Sequence, residues 1–265
     1  MIGASVRGVA ETEEPLTGGN LNAGVIRVGD TVRREAGPWT RAVHGLLLHL
    51  AESGYPPPVL LGFDAKDREI VTFIEGPPIH PDRYDLVAQP QGLARAARLI
   101  AEYHAAQATF LRPPDASWRA DARDPSGSEE VLAHNDLAPW NLIAGPVWTY
   151  IDWDLVAPGR RSWDLAWALH SFVGLWPDSG DTPAATAERI TAFCDGASVP
   201  HADRVGLLRV VVERTQHNAD ELRRRAAAGE PAYERLVATG HAEVWQRGSE
   251  HVASHLDLWA RFLMS

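Results

Sequence analysis

The chain has 265 residues, with 25 Lys and Arg against 35 Asp and Glu, giving a formal net charge of −10. That balance argues against a nucleic-acid partner, which needs clustered basic residues to neutralise phosphates, and no apolar run approaches a membrane span. An apolar content of 45% supplies a core for one large domain or two lobes, and the single Cys194 leaves no internal disulfide and fits a cytoplasmic setting.

Residues 1–14 read as a flexible acidic tail, without the charged-then-apolar order of a signal peptide. The loop Thr17-Gly18-Gly19-Asn20 could bring backbone amides toward phosphates, although a glycine pair equally makes a plain turn. Val25–Val28, Gly29-Asp30 and Thr31–Arg34 predict a hairpin with a two-residue turn. Thr40 is expected to cap a helix that carries Val43, Leu46, Leu47 and Leu50 on one face and stops at Ser53-Gly54. Val59–Phe63 and Glu69–Ile74 follow as strands. Glu75-Gly76-Pro77-Pro78 then marks a boundary, separating a small β-rich region, residues 15–76, from a mainly helical one, residues 77–265. In the second region the pattern predicts helices near 90–109, from Ser162, from Pro183 to before Gly196, and two long ones opening at Pro200 and Pro231. His104 falls on an apolar helix face and reads as a core histidine.

The densest chemistry lies between 134 and 152, where His134, Asp136, Asn141 and Asp152 occur in order. Leu142-Ile143, the turn Ala144-Gly145-Pro146, and Val147–Ile151 predict a hairpin. Closing it brings Asn141 beside Asp152, because paired strands lie about 4.8 Å apart. An amide oxygen next to a carboxylate suits Mg²⁺, a hard cation that leaves coordination positions to phosphate oxygens. Asp136, separated from Asn141 by four residues, can aim its carboxylate across the same cleft and take a proton from an acceptor hydroxyl. Taken singly, such residues often only bond their own turns. His134 reads as a buried hydrogen-bonding group that shapes the loop, not as an acid or base.

The motifs HNDLAPWN at 134–141, IDWD at 151–154 and PGRRSWDLAW at 158–167 resemble the aminoglycoside phosphotransferase and choline kinase-like family, small-molecule relatives of protein kinases. The stretch VGDTVRREAGPWT, with the HNDLAP run, is further similar to a bacterial subgroup of trifolitoxin immunity proteins. The resemblance implies an α+β, protein kinase-like two-lobed fold with nucleotide held between the lobes. It implies Asp136 as catalytic base, Asn141 and Asp152 as magnesium ligands, and Asp164 as a brace for the catalytic loop. Phe73, Ile74 and Glu75 become the hinge whose backbone holds adenine, with Val32, Ile143 and Ile151 against the nucleotide and Gly18 and Gly19 near its phosphates. The expected cofactors are ATP or GTP and Mg²⁺; the expected partner is a small-molecule acceptor, which the acidic surface would favour as a cation.

The chain departs from the kinase pattern in having no lysine on the third strand; Lys66 is its one lysine in the first 76 residues. Side chains alternate along a strand, so Val32 and Arg34 share a face and Arg34 takes the phosphate role, with a planar fork in place of an ammonium. The helix at 40–52 offers no early glutamate to anchor that cation; His44 stands near the expected place and Glu35 lies close in sequence. Asp154 and Arg160 either line the acceptor pocket or brace loops. Trp140, Trp148, Trp153, Trp163 and Trp167 crowd one region, as core packing or as an aromatic wall. The reading is a magnesium-dependent small-molecule kinase; the alternative is a kinase-like binding or immunity protein with weak catalysis.

Overall fold

The computed structural model describes residues 12–16, 24–119 and 123–264, so Gly18 and Gly19 lie outside the described residues. Its N-terminal part is a five-stranded antiparallel sheet built from β1 (Glu14–Pro15), β2 (Ile26–Val28), β3 (Thr31–Glu35), β4 (Leu60–Phe63) and β5 (Arg68–Thr72), in the order β1-β2-β3-β5-β4. Gly29 takes φ +57° in the β2–β3 turn, the left-handed conformation such a hairpin needs. Glu14, assigned to the acidic tail from sequence, pairs with Arg27.

Helix α1 (Thr40–Glu52) buries the predicted stripe of Val43, Leu46, Leu47 and Leu50. Thr40 is not its cap but its first helical residue; its Oγ1 accepts from the Gly37 N–H at 2.8 Å, bracing the turn that leads in. Leu46 and Leu50 are fully buried in the same continuous core as Leu93 and Ile100 of α3 (Pro90–Ala106) and Phe172 of α4 (Arg161–Val173). Each such side chain contributes about 1.5–3 kcal/mol by leaving water.

The chain leaves β5 at Thr72, earlier than expected, because Phe73 donates its N–H to the Asp30 carbonyl at 2.8 Å rather than to a neighbouring strand. It then pairs with the predicted hairpin, β7 (Leu142–Ala144) and β8 (Trp148–Tyr150): Ile79 N–H donates to Leu142 O at 2.8 Å. A second ribbon, β6 (Val131–Ala133) with β9 (Ala157–Gly159), corrects the expectation that this region is helical outside the hairpin. Its strands of three residues each are too short to carry an alternating pattern.

The remaining helices are α2 (Asp85–Ala88), α5 (Pro183–Gly196), α6 (Arg204–Ala227), α7 (Pro231–Ala238) and α8 (His241–Leu263). Thr182 caps α5 by accepting from Ala185 N–H at 3.3 Å. The single long helix expected from Pro231 is two, broken where Gly240 adopts φ +81°. No helix among the described residues is long and apolar enough to cross a membrane.

Candidate active site

The loop from 134 to 141 is built around the buried carboxylate of Asp164 on α4. Its Oδ2 accepts the His134 N–H at 3.1 Å, its Oδ1 accepts the Asn135 N–H at 2.9 Å, and His104 Nε2 meets Oδ2 at 2.9 Å. The histidine predicted as a core residue is therefore one of the partners that compensate a buried charge, and burial without such partners would cost several kcal/mol. Asn135 takes φ +66°, tolerable for Asn, and ties the bend by donating Nδ2 to the Ala133 and Leu155 carbonyls at 3.1 and 2.9 Å. His134 is fully buried, and its Nδ1 accepts the Asp136 N–H at 3.3 Å. Burial keeps its pKa below the ordinary value, so it is a neutral loop-shaping group.

This frame presents Asp136 with both oxygens bonded: Asn141 Nδ2 donates to Oδ2 at 2.7 Å and Trp167 Nε1 donates to Oδ1 at 3.1 Å. Burial, and then the charge of Asp152, push its carboxyl up to about 7. A carboxyl poised near neutrality suits a general base.

Asn141 ends a single 3-10 turn, Pro139–Asn141, and its carbonyl accepts the Ile151 N–H at 2.9 Å, which closes the hairpin and brings Asp152 alongside. Asp152 has φ +61°, turning the chain so that its partly exposed carboxylate enters the cleft. Asn141 spends its amide nitrogen on Asp136, which leaves its amide oxygen without a hydrogen bond among the described residues, and Asp152 is bonded through Oδ1 to Arg34. One carboxamide oxygen and one carboxylate oxygen fit a hard divalent cation that completes its shell with phosphate oxygens and water.

Arg34 is anchored by a set that sequence left open. Its Nε donates to Glu69 Oε1, its Nη1 to Asp152 Oδ1 at 3.0 Å, and its Nη2 lies 3.0 Å from Asp154 Oδ1. Glu69, not the exposed Glu35, is the anchor; it stands opposite Arg34 in the β3–β5 register and accepts on Oε2 from His44 Nε2 of α1 at 2.6 Å. Burial disfavours the Arg34 charge, but the Asp154, Glu69 and Asp152 carboxylates outweigh it and raise its pKa. Asp154 is buried and pushed up to about 6, first by that burial. Arg160 braces loops instead, holding Asp124 at 2.7 Å and Glu213 at 2.8 Å.

Residues 73–75, expected as the hinge, follow β5 and meet Arg27 of β2. Glu75 pairs with Arg27 at 3.0 Å, and the Arg27 guanidinium lies 3.7 Å over the Phe73 ring. Phe73 has committed its N–H to Asp30, whereas Ile74 and Glu75 make no backbone–backbone bond among the described residues. A methyl on Gly145 would lie 2.5 Å from the Glu75 carbonyl oxygen, so glycine there lets the hairpin turn pack on the hinge. Ile143 is buried below Gly76, and Val32, half-buried, stands between Arg27 and Val71 in the sheet. Ile151, half-buried, is bonded to Asn141.

The sequence pattern of the phosphotransferase enzyme family matches residues 115–205, which hold Asp136, Asn141, Asp152 and Asp164. A trifolitoxin immunity protein from Rhizobium leguminosarum bv. trifolii is 32% identical over 224 residues, 80% of this chain and 84% of that protein. The chain belongs to the phosphotransferase enzyme family. This phosphotransferase is similar in fold to a choline/ethanolamine kinase family protein from Mesorhizobium loti, with a TM-score of 0.63 at 17% identity over 96% of this chain and 94% of that one. It is also similar to the amicoumacin kinase hAmiN, whose structure is a complex with AMP-PNP, Ca²⁺ and Ami, with a TM-score of 0.60 at 10% identity over 85% and 86% of the two chains. Choline kinase from Cryptosporidium parvum Iowa II gives 0.56 at 12% identity over 96% and 94%. The fold these structures share with the phosphotransferase is a two-lobed α+β architecture.

Two residues of the site escaped the sequence reading of this phosphotransferase. Glu69 carried a signal, an acid leading into the apolar Ile70-Val71, but its value depended on knowing that β3 pairs β5. Trp167 lies three residues after Asp164, on the same helical face, and was counted as packing.

Proposed function

We propose that the protein transfers the γ-phosphoryl group of ATP, or of GTP, to a hydroxyl of a small molecule, with Mg²⁺ bound by Asn141 and Asp152. The observation that supports this reading is that Asp136 meets Asn141 at 2.7 Å and Arg34 meets Asp152 at 3.0 Å, bringing together side chains suited to a base, a metal-ligand pair and a phosphate-side cation. Asp136 orients the acceptor hydroxyl and takes its proton; Arg34, held by Glu69, which His44 supports in turn, faces the phosphates. The divalent ion, when bound, neutralises phosphate charge. Positioning and fixed charge supply most of the acceleration in such chemistry. Ile74 and Glu75 offer their backbone to the base of the nucleotide, with Val32, Ile143 and Ile151 against its ring and Gly18 and Gly19 toward its phosphates. Residues 15–76 form the nucleotide lobe and 77–265 the catalytic and acceptor lobe.

The test is nucleotide consumption by the purified protein with Mg²⁺ over a panel of aminoglycosides, amino alcohols and sugars. Acceptor-dependent ADP release that disappears in Asp152→Asn supports the reading; no release with any acceptor, together with no nucleotide binding, overturns it.

A second reading is a kinase-like binding protein that confers immunity without efficient turnover. It is favoured by the 32% identity to a protein named for immunity. A thermal-shift titration with ATP and Mg²⁺ separates the two: no stabilisation at millimolar nucleotide favours the binder.

A further inference from the structure

Asp136 is gripped from the C-terminal helices through one indole. Trp167 of α4 donates Nε1–H to Asp136 Oδ1 at 3.1 Å, and its ring stacks on Trp245 of α8 with centroids 4.3 Å apart and planes 24° from parallel. Trp245 is itself seated against Trp176 at 5.0 Å and against the buried ring of His170 at 5.5 Å. That seat depends on Gly248, one turn further along α8: a methyl there would lie 2.8 Å from His170 Nε2, so only glycine lets the helix approach this closely. The Arg214 guanidinium of α6 adds a second hold on Trp167, 4.8 Å from its ring, and donates Nη2 to the Asn135 carbonyl at 3.3 Å, just before Asp136.

We propose that Trp245 is a positioning residue for Asp136, acting through Trp167, so that α8 sets the angle at which the base meets its acceptor. This rests on the reading of Asp136 as the base. A stacked ring limits rotation of the Trp167 indole, and the indole in turn fixes the carboxylate plane that Asn141 holds from the other oxygen. Small misplacements of a reacting group cost rate steeply, while the nucleotide contacts, which lie on the sheet and hinge, are untouched.

The test joins ¹⁵N-indole NMR with kinetics. The Trp167 Nε1–H resonance, assigned by its loss in Trp167→Phe, is expected to move in Trp245→Ala toward its position in Asp136→Asn. In the same variant kcat falls about tenfold or more with nucleotide KM unchanged, and Trp245→Phe, which keeps a stacking ring, restores both. If Trp245→Ala does not fold, Gly248→Ala shifts α8 against His170 and is expected to move the same resonance. An unmoved Trp167 resonance in folded Trp245→Ala, or a kcat loss that Trp245→Phe does not recover, overturns the proposal. The NMR arm needs no substrate, so it stands apart from any failure of phosphoryl transfer itself.

Discussion

Arg34 on β3 and Glu69 on β5 stand directly opposite each other in the sheet, and Glu69 passes the connection on to His44 of α1 at 2.6 Å. In the proposed function this pair would take, from two strands, the part a lysine and a helix glutamate play in protein kinases. Removing the cation leaves Glu69, 1% exposed, with His44 as its remaining partner. Arg34→Ala is therefore expected to lose about 3–5 kcal/mol of unfolding free energy in urea. Arg34→Lys, with no fork to reach Glu69, Asp152 and Asp154 together, should fold better than the alanine variant yet raise nucleotide KM about tenfold. Wild-type KM in the lysine variant would show that the fork is irrelevant to nucleotide.

Asp136→Asn keeps the shape of the loop and removes the proposed base. Turnover on the true acceptor is expected to fall by about 10²–10⁴-fold, with ATP affinity retained by calorimetry. Full activity in that variant would remove Asp136 from the chemistry.

The charge state of Asp136 gives the protein a pH signature. Its folded carboxyl, raised to about 7 by burial and by Asp152, binds a proton more tightly than in the unfolded chain. The stabilisation is thus complete below the unfolded value, about 4, and is lost as pH rises through about 7. Turnover runs the other way, rising about tenfold per pH unit up to the same point as the base ionises. Denaturation midpoints and kcat/KM between pH 5 and 9 check both limbs, and Asp136→Asn should flatten its part of the stability profile.

Gly145→Ala probes the hinge. The added methyl, 2.5 Å from the Glu75 carbonyl, must push the β7–β8 turn off the segment expected to hold adenine. Nucleotide KM should rise several-fold, about 1 kcal/mol in binding, with kcat reduced less. An unchanged KM would place adenine elsewhere.

Asp164→Asn tests the brace. The carboxylate serves His104 and the N–H groups of His134 and Asn135, and one amide oxygen cannot serve them all. A loss of about 3–5 kcal/mol is expected, together with faster hydrogen exchange at Asn135.

Much of this site was legible before any coordinates, for an identifiable reason. The spacing of Asp136, Asn141 and Asp152 is local: one loop and one hairpin bring them together, so chain order alone carries the geometry. The anchoring of Arg34 was not legible, because Glu69 meets it only after β5 folds back beside β3, a pairing 35 residues apart in sequence. The β6–β9 ribbon was hidden by strand length, and the break at Gly240 by a helical pattern that continues on both sides of it. Trp167 was seen but misjudged, since burial of an indole gives no hint of where its N–H points.

The fork of Arg34 already clasps Asp152 and Asp154 at 3.0 Å each. If the proposed nucleotide binds here, its phosphates share this guanidinium with two carboxylates that already compensate the buried charge.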